Sequence, residues 1–264
     1  MLLPLACLTL LALPGAQDVP QTTAVAQEPA PSEGAVRYTR LLGEFQDEYM
    51  AWIEKVQAMA AEAEAEGREL TEFPEQPHAR YIPRFLAAAE AYAGSEDAVP
   101  FLTWVVDNGW VDMDAIRTAL AAIEKSHLAS PKLEGMLFAF SQLEYLLGEE
   151  EGRAFAVKVE EKTPSPMVRA MAAFAARQHI LQKEPIDGEA YRAARAHVMA
   201  LVAALQDTDA EMAQELIVSE ILVREEFGVG MTAPDIAGVD LDGVAFKLSD
   251  SKGRVILLDF WGDW

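Results

Sequence analysis

The chain has 264 residues, with 43 Asp and Glu against 21 Lys and Arg, a formal net charge of −22. That balance argues against nucleic acid or an anionic membrane surface as a partner, since both are polyanions. The 51% hydrophobic content gives enough material for a buried core, and the single cysteine, Cys7, excludes an internal disulfide framework or a thiolate metal cluster within this chain.

Leu2 to Leu13 form a continuous apolar run, followed by Pro14, Gly15 and Ala16 and then a polar stretch from Gln17 to Glu33. The order apolar, small, polar is that of a secretory signal peptide, too short to span a bilayer. Its basic leading region is missing, the first basic residue being Arg37. Cleavage fits after Ala16 or after Ala26, so residues 1–26 are assigned to the signal. Cys7 lies inside the apolar run and would leave with it. Residues 17–35 carry Pro20, Pro29 and Pro31 among Gln, Thr, Glu and Ser and read as a tether, of which 27–35 remain after cleavage.

Residues 36–227 are expected to be all-helical. Leu41, Leu42, Phe45, Tyr49, Trp52, Ile53 and Val56 recur at steps of three and four along a long first helix that ends before Gly67. Pro83 suits the first turn of a second helix that includes Phe85, Leu86 and Ala89. Phe101, Leu102, Trp104 and Val105 mark a third, with Asn108-Gly109 as its C-cap. Asp112 or Asp114 then starts a fourth over Ile116 to Ile123. Ser130-Pro131 before Met136 is echoed by Ser165-Pro166 before Met171, 35 residues later. That offset is in the range of helical-hairpin repeats, although Ser-Pro is also a generic helix start. The expected fold class is therefore mainly α, a stack of antiparallel helical hairpins with the option of a solenoid.

This block shows no chemistry of its own. His78, His127, His179 and His197 have no metal-ligand spacing, and isolated histidines of this kind are usually surface or core-edge residues. Glu62, Glu64 and Glu66, and Glu149 to Glu151, lack the turned loop of a cation site and read as solvated faces. Neither metal nor cofactor is expected. With 18 basic and 34 acidic side chains between residues 36 and 227, the block holds most of the charge and reads as scaffold or partner surface.

After Phe227 the pattern changes. Gly228-Val229-Gly230-Met231-Thr232-Ala233 has the outline of a dinucleotide-binding loop but follows a helix and runs into Pro234, the wrong context. Ile236–Val239 and Val244–Leu248 read as strands around an Asp240-Leu241-Asp242-Gly243 turn. Leu248-Ser249-Asp250 suggests a capped helical turn closed by Gly253. Arg254 to Trp261 is a nearly unbroken apolar run suited to a central strand covered on both faces.

Together, Val229 to Ile236 with its Ala-Pro-Asp, Asp240-Leu-Asp-Gly243, Leu248-Ser-Asp250 and Gly253 to Trp264 resemble the opening of the TlpA-type and redoxin-type (AhpC/TSA-like) members of the thioredoxin-like superfamily. The resemblance covers residues 228–264, with Arg254 where Lys is usual and Gly262 where Ala is usual. It implies an α/β thioredoxin-like domain, of which this chain carries the N-terminal ββ(α)β part and stops before a C-x-x-C pair. The chain alone is therefore expected to be inactive, its parent an exported bacterial thiol–disulfide oxidoreductase of the periplasm or cell envelope. Partners would be protein thiols or disulfides or a redox protein, with no membrane span beyond the signal segment. Asp259 matches the acidic position beneath the active-site disulfide; flanked by Leu258 and Phe260 in a covered strand, it would be desolvated and able to shuttle a proton. Trp261 and Trp264 would flank the active-site loop, while Pro234, Asp235, Asp242, Gly243 and Asp250 would be structural. A peroxiredoxin-like peroxidase, and a helical protein-binding module with a degenerate redoxin part, are the alternatives. The helical block also resembles the N-terminal extensions of some secreted bacterial redoxin proteins.

Overall fold

In the computed structural model, which describes residues 30–259, the first helix, α1, runs Glu33–Ala65. It begins inside the stretch whose composition suits a tether, because Ser32 accepts a hydrogen bond from the Ala35 amide and Glu33 places a negative charge in the first turn. The signal-peptide assignments, Cys7, Ala16 and Ala26 included, lie outside the described residues.

Helix α2 spans His78–Ala91, so Pro83 sits inside the helix and not in its first turn. Pro83 and Ala79, whose carbonyl loses its i+4 amide donor, are both exposed, so the lost bond falls on the solvent side of the helix. Helix α3, Val99–Asn108, ends at Gly109 without a left-handed turn, at φ −84°. The glycine is required by packing instead: a Cβ there would stand 2.8 Å from Ile116 Cγ1 of the next helix. Asp112 caps α4, Met113–Ser126, by accepting from the Ala115 amide at 3.0 Å.

The chain then forms a 3-10 turn over Pro131–Met136, the short α5, Leu137–Phe140, and α6, Leu143–Leu147. Helices α7, Glu149–Lys162, α8, Pro166–Lys183, and α9, Glu189–Val202, follow as an up-and-down stack. Helices α10, Asp207–Ala213, and α11, Ser219–Phe227, are joined by a π-helical turn over Gln214–Val218. Helix α8 buries Met167, Val168 and every residue from Ala170 to Phe174, a stretch apolar on all sides that α7 and α9 cover.

Packing is dominated by neighbours in sequence: α2 on α3, α3 on α4, α6 on α7, α7 on α8 and α8 on α9. Several of the side-chain bonds between elements share a similar separation, while others lie 17 or 40 residues apart. Tyr81–Glu48, Ser130–Glu96, Lys158–Glu124, Ser165–Glu134, Lys183–Glu149 and Tyr191–Glu225 lie 33, 34, 34, 31, 34 and 34 residues apart. The two Ser-Pro starts are thus physically equivalent. Each serine caps its own helix and donates its hydroxyl to a glutamate from the preceding turn of the stack, at 2.6 Å for Ser130 and 2.7 Å for Ser165. The core begins in an aromatic cluster, with Phe85 stacked on Trp104 and Phe45 meeting that indole edge-on at 4.9 Å. It continues through Phe101, Ile116, Phe140 and Phe155 to Met171 and Tyr191.

Beyond α11 lie two antiparallel strands, β1, Ala237–Val239, and β2, Ala245–Lys247, with Gly238 opposite Phe246. A 3-10 turn, Leu248–Ser251, follows. The third strand expected from Arg254 onward is not formed over the described residues: 255–259 are exposed and pair with no neighbouring strand. A central strand needs hydrogen-bonding partners on both edges and cover on both faces, and no described segment supplies either.

Candidate functional site

The segment from Gly228 leaves the helices at a clamped point. Arg224 donates to the carbonyls of Leu181 and Glu184 at the end of α8 and lies over the Tyr191 ring. Next to it, Glu225 accepts a forked bond from Arg195 at 2.6 and 3.1 Å and a bond from the Tyr191 hydroxyl at 2.9 Å. Arg195 holds the Glu225 carboxyl below its usual range. Burial, with the Glu225 charge beside it, pushes the Tyr191 phenol up to about 12.

Pro234 and Asp235 come next, and Asp235 is the residue that fastens this segment. Its two carboxylate oxygens accept from the Ser249 amide at 2.8 Å and the Ser249 hydroxyl at 2.9 Å. The Leu248 amide donates to the Ile236 carbonyl alongside. Donation from the Ser249 amide, foremost, and hydroxyl holds the Asp235 carboxyl below the ordinary carboxylate range.

At the hairpin tip the working residue is Asp240. Its Oδ1 accepts from the amides of Asp242 and Val244 at 3.0 and 2.8 Å, while Gly243 takes the left-handed φ of +78° that the turn requires. Asp242 contributes its backbone alone to these bonds. Phe246 lies across Gly238, where an added Cβ would stand 3.0 Å from its ring. Asp250 accepts from the Lys247 amide at 2.9 Å, and Gly253 closes the turn at φ +83°.

Of the residues singled out in the sequence, the structure brings Pro234 and Asp235 against the Leu248–Ser251 turn and Asp242 and Gly243 into the hairpin. Asp259 is exposed and apart from both, where the sequence led us to expect a desolvated carboxylate. Its flanking strand does not form over the described residues, so nothing there excludes water from it. Trp261 and Trp264 lie outside the described residues. Between residues 30 and 259 there is no cysteine.

Sequence reasoning missed two groupings in the helices. His78 and His127 are buried rather than peripheral, and His78 is packed between Phe45, Tyr49 and Trp110. Glu160 joins three helices by accepting from Arg177 at 2.8 Å and pairing with His197 at 2.6 Å. Burial raises this carboxyl, and the bonds from Arg177 and His197 outweigh burial and hold it below its usual value. The spacing of Glu160, Arg177 and His197, one per helix of a stack, was the available signal. Among the described residues no His, Cys, Asp and Glu side chains gather in a group of three or more fit to hold a metal. No helix there is long and apolar enough to cross a membrane.

No protein-family model matches the chain, and no solved structure does. Short stretches are similar to curated proteins named thiol-disulfide oxidoreductase ResA. The protein from Geobacillus kaustophilus (strain HTA426) is 50% identical over 36 residues, 14% of this chain and 21% of the relative. That from Geobacillus thermodenitrificans (strain NG80-2) is 47% identical over 36 residues, with the same coverage. The Bacillus thuringiensis (strain Al Hakam) protein is 39% identical over 41 residues, 16% of this chain and 24% of the relative. The chain thus spans 21 to 24% of the length of these relatives. Its similarity to the thioredoxin-like oxidoreductases is confined to that short stretch.

Proposed function

We propose that this chain belongs to an exported bacterial thiol–disulfide oxidoreductase of TlpA or redoxin type. In this reading an acidic helical domain, 36–227, precedes a thioredoxin-like domain opening at Gly228, and the exchanging Cys-x-x-Cys follows Trp264. The observation that carries it is the local identity to the ResA proteins over 36 to 41 residues, a length close to the 37 residues of the redoxin-like segment 228–264. The Asp235–Ser249 lock and the Asp240 turn support it by giving physical work to the motif residues of that segment.

In the proposed reaction the first cysteine thiolate attacks one sulfur of a partner disulfide, forming a mixed disulfide and releasing the partner's other sulfur as a thiolate. The second cysteine then attacks the mixed disulfide. The partner leaves reduced, and the cysteine pair is oxidised to a disulfide. Asp259 is assigned the proton of the second thiol, a role that needs the strand around it to be covered.

Sequencing beyond the codon for Trp264 tests the reading. Cys-x-x-Cys is the expected result, a lone Cys would favour a peroxidase, and the absence of Cys would sink both enzymes. In the full-length protein, dithiothreitol-driven insulin reduction should fall about a hundredfold in Asp259→Ala, the low end of proton-transfer contributions. An unchanged rate from about pH 6 to 9 would remove Asp259 from the mechanism.

A further inference from the structure

With 43 acids against 21 bases, an arginine of this chain seldom lacks an acceptor. Each of the ten from Arg68 to Arg224 reaches a carboxylate, a backbone carbonyl or a ring nitrogen. Arg37 and Arg40 of α1 reach none among the described residues. Both line one cleft between α1 and α2, where Arg84 is the third cation. The cleft has a volume of about 430 Å³, within the range of small-molecule sites, and Leu41, Glu44 and Ala87 complete its lining.

Two of the three guanidiniums are held in place by the fold. Arg37 lies over the Tyr92 ring at 5.8 Å, and Arg84 lies over the Tyr81 ring at 4.5 Å while pairing with Glu44. Arg37 and Arg40, three residues apart, are neighbours on the surface of α1. Three guanidiniums against one carboxylate leave the cleft a net charge of +2. A guanidinium only donates, and its planar fork matches an oxyanion. The missing partner is therefore a group of acceptor oxygens that carries two negative charges on one centre. A phosphate monoester brings three such oxygens and close to two charges at neutral pH, whereas a carboxylate brings two oxygens and one charge. The acidity of the rest of the chain does not prevent this, because at about 0.15 M salt exposed charges more than about 8 Å away are largely screened. Leu41 and Ala87 give the cleft an apolar side for the organic group of the ester.

We propose that this cleft binds the phosphate group of a small phosphate monoester. The inference is independent of the redox reading. Calorimetric titration of the 264-residue chain, in about 0.15 M salt, with phenyl phosphate, phenyl sulfate, benzoate and inorganic phosphate tests it. Phenyl phosphate should bind one to one, at least about tenfold more tightly than the singly charged phenyl sulfate and benzoate. Inorganic phosphate, without the ring, should bind more weakly than the ester. Arg37→Gln and Arg40→Gln should each weaken phenyl phosphate at least about tenfold, the loss of a charged hydrogen bond, and keep the wild-type circular dichroism. Arg254, whose side chain also lacks an acceptor among the described residues, lies outside the cleft, and Arg254→Gln should bind as the wild type does. No binding of phenyl phosphate, equal affinity for the singly charged analogues, undiminished binding in both α1 variants, or an equal loss in Arg254→Gln would each overturn the proposal. Equal affinity for inorganic phosphate would assign the cleft to the free ion and overturn the ester.

Discussion

Gly43 and Gly152 both sit inside helices, and replacing each by alanine should move stability in opposite directions. A Cβ on Gly43 meets nothing within 4 Å, so Gly43→Ala keeps only the gain from restricting the unfolded chain, about 0.5–1 kcal/mol. On Gly152 the same atom would stand 2.6 Å from the Leu143 carbonyl oxygen and 2.7 Å from its carbon. Backbone cannot swing aside as a side chain can, so α7 must separate from α6. Gly152→Ala should therefore destabilise by about 1–3 kcal/mol despite its better helix propensity. Urea midpoints of the two variants check this, and a shift of the same sign in both would refute it. Neither outcome was legible in the sequence, since close approach of two backbones leaves no mark beyond the glycine itself. The cap of α4, by contrast, was legible as Asp112 or Asp114, because a short acceptor before a periodic apolar run has a local role, and the structure gives it to Asp112. Asp240 was passed over for Asp242 because both precede the turn glycine and only the fold decides which carboxylate turns inward.

Helices α7, α8 and α9 are joined through Glu160, Arg177 and His197, and this junction carries a pH dependence. The Glu160 carboxyl lies below its ordinary value of 4.5 in the folded protein. A depressed acid contributes stability that is fully present above its unfolded value and is lost as pH falls through the lower folded one. Glu160→Gln should therefore cost about 1.5 kcal/mol at pH 7, the low end for a charged hydrogen bond because His197 is 43% exposed. The difference should shrink steadily below about pH 4.5. Urea midpoints from pH 7 to 3 measure it, and a gap that persists at pH 3 would assign the loss to packing. At this scale the sequence was readable wherever a signal is local. The long first helix, the Ser-Pro starts and the hairpin all follow from periodicity, caps and turn residues. Pro83 misled because proline is tolerated in a helix where the carbonyl it frees faces water, a fact of burial and not of spacing. The run from Arg254 misled differently: its apolar character states what a strand needs, while strand formation depends on partners that the described residues do not provide. For the same reason the setting expected for Asp259 is absent from the described structure.

At the scale of the whole molecule the unbalanced charge should dominate the response to salt. The ion pairs among the described residues engage ten carboxylates, against 34 acidic and 18 basic side chains between residues 36 and 227. Most of those pairs are exposed, and such pairs contribute about 0–1 kcal/mol each. The remaining acids repel one another along a stack whose helices pack mainly on their sequence neighbours. Raising sodium chloride from about 10 mM to about 1 M shortens the screening length from about 30 Å to about 3 Å. The thermal midpoint of the chain should then rise by about 2–5 °C, equivalent to about 1 kcal/mol or slightly more. A fall would mean that ion pairs outweigh net repulsion. Under the proposed function the same charge gives the opposite sign for association: a redox partner that docks on the helical domain through basic groups should bind less tightly as salt rises. Measuring the midpoint and the partner affinity over one salt series separates the two effects, because screening stabilises the acidic fold and weakens attraction to it.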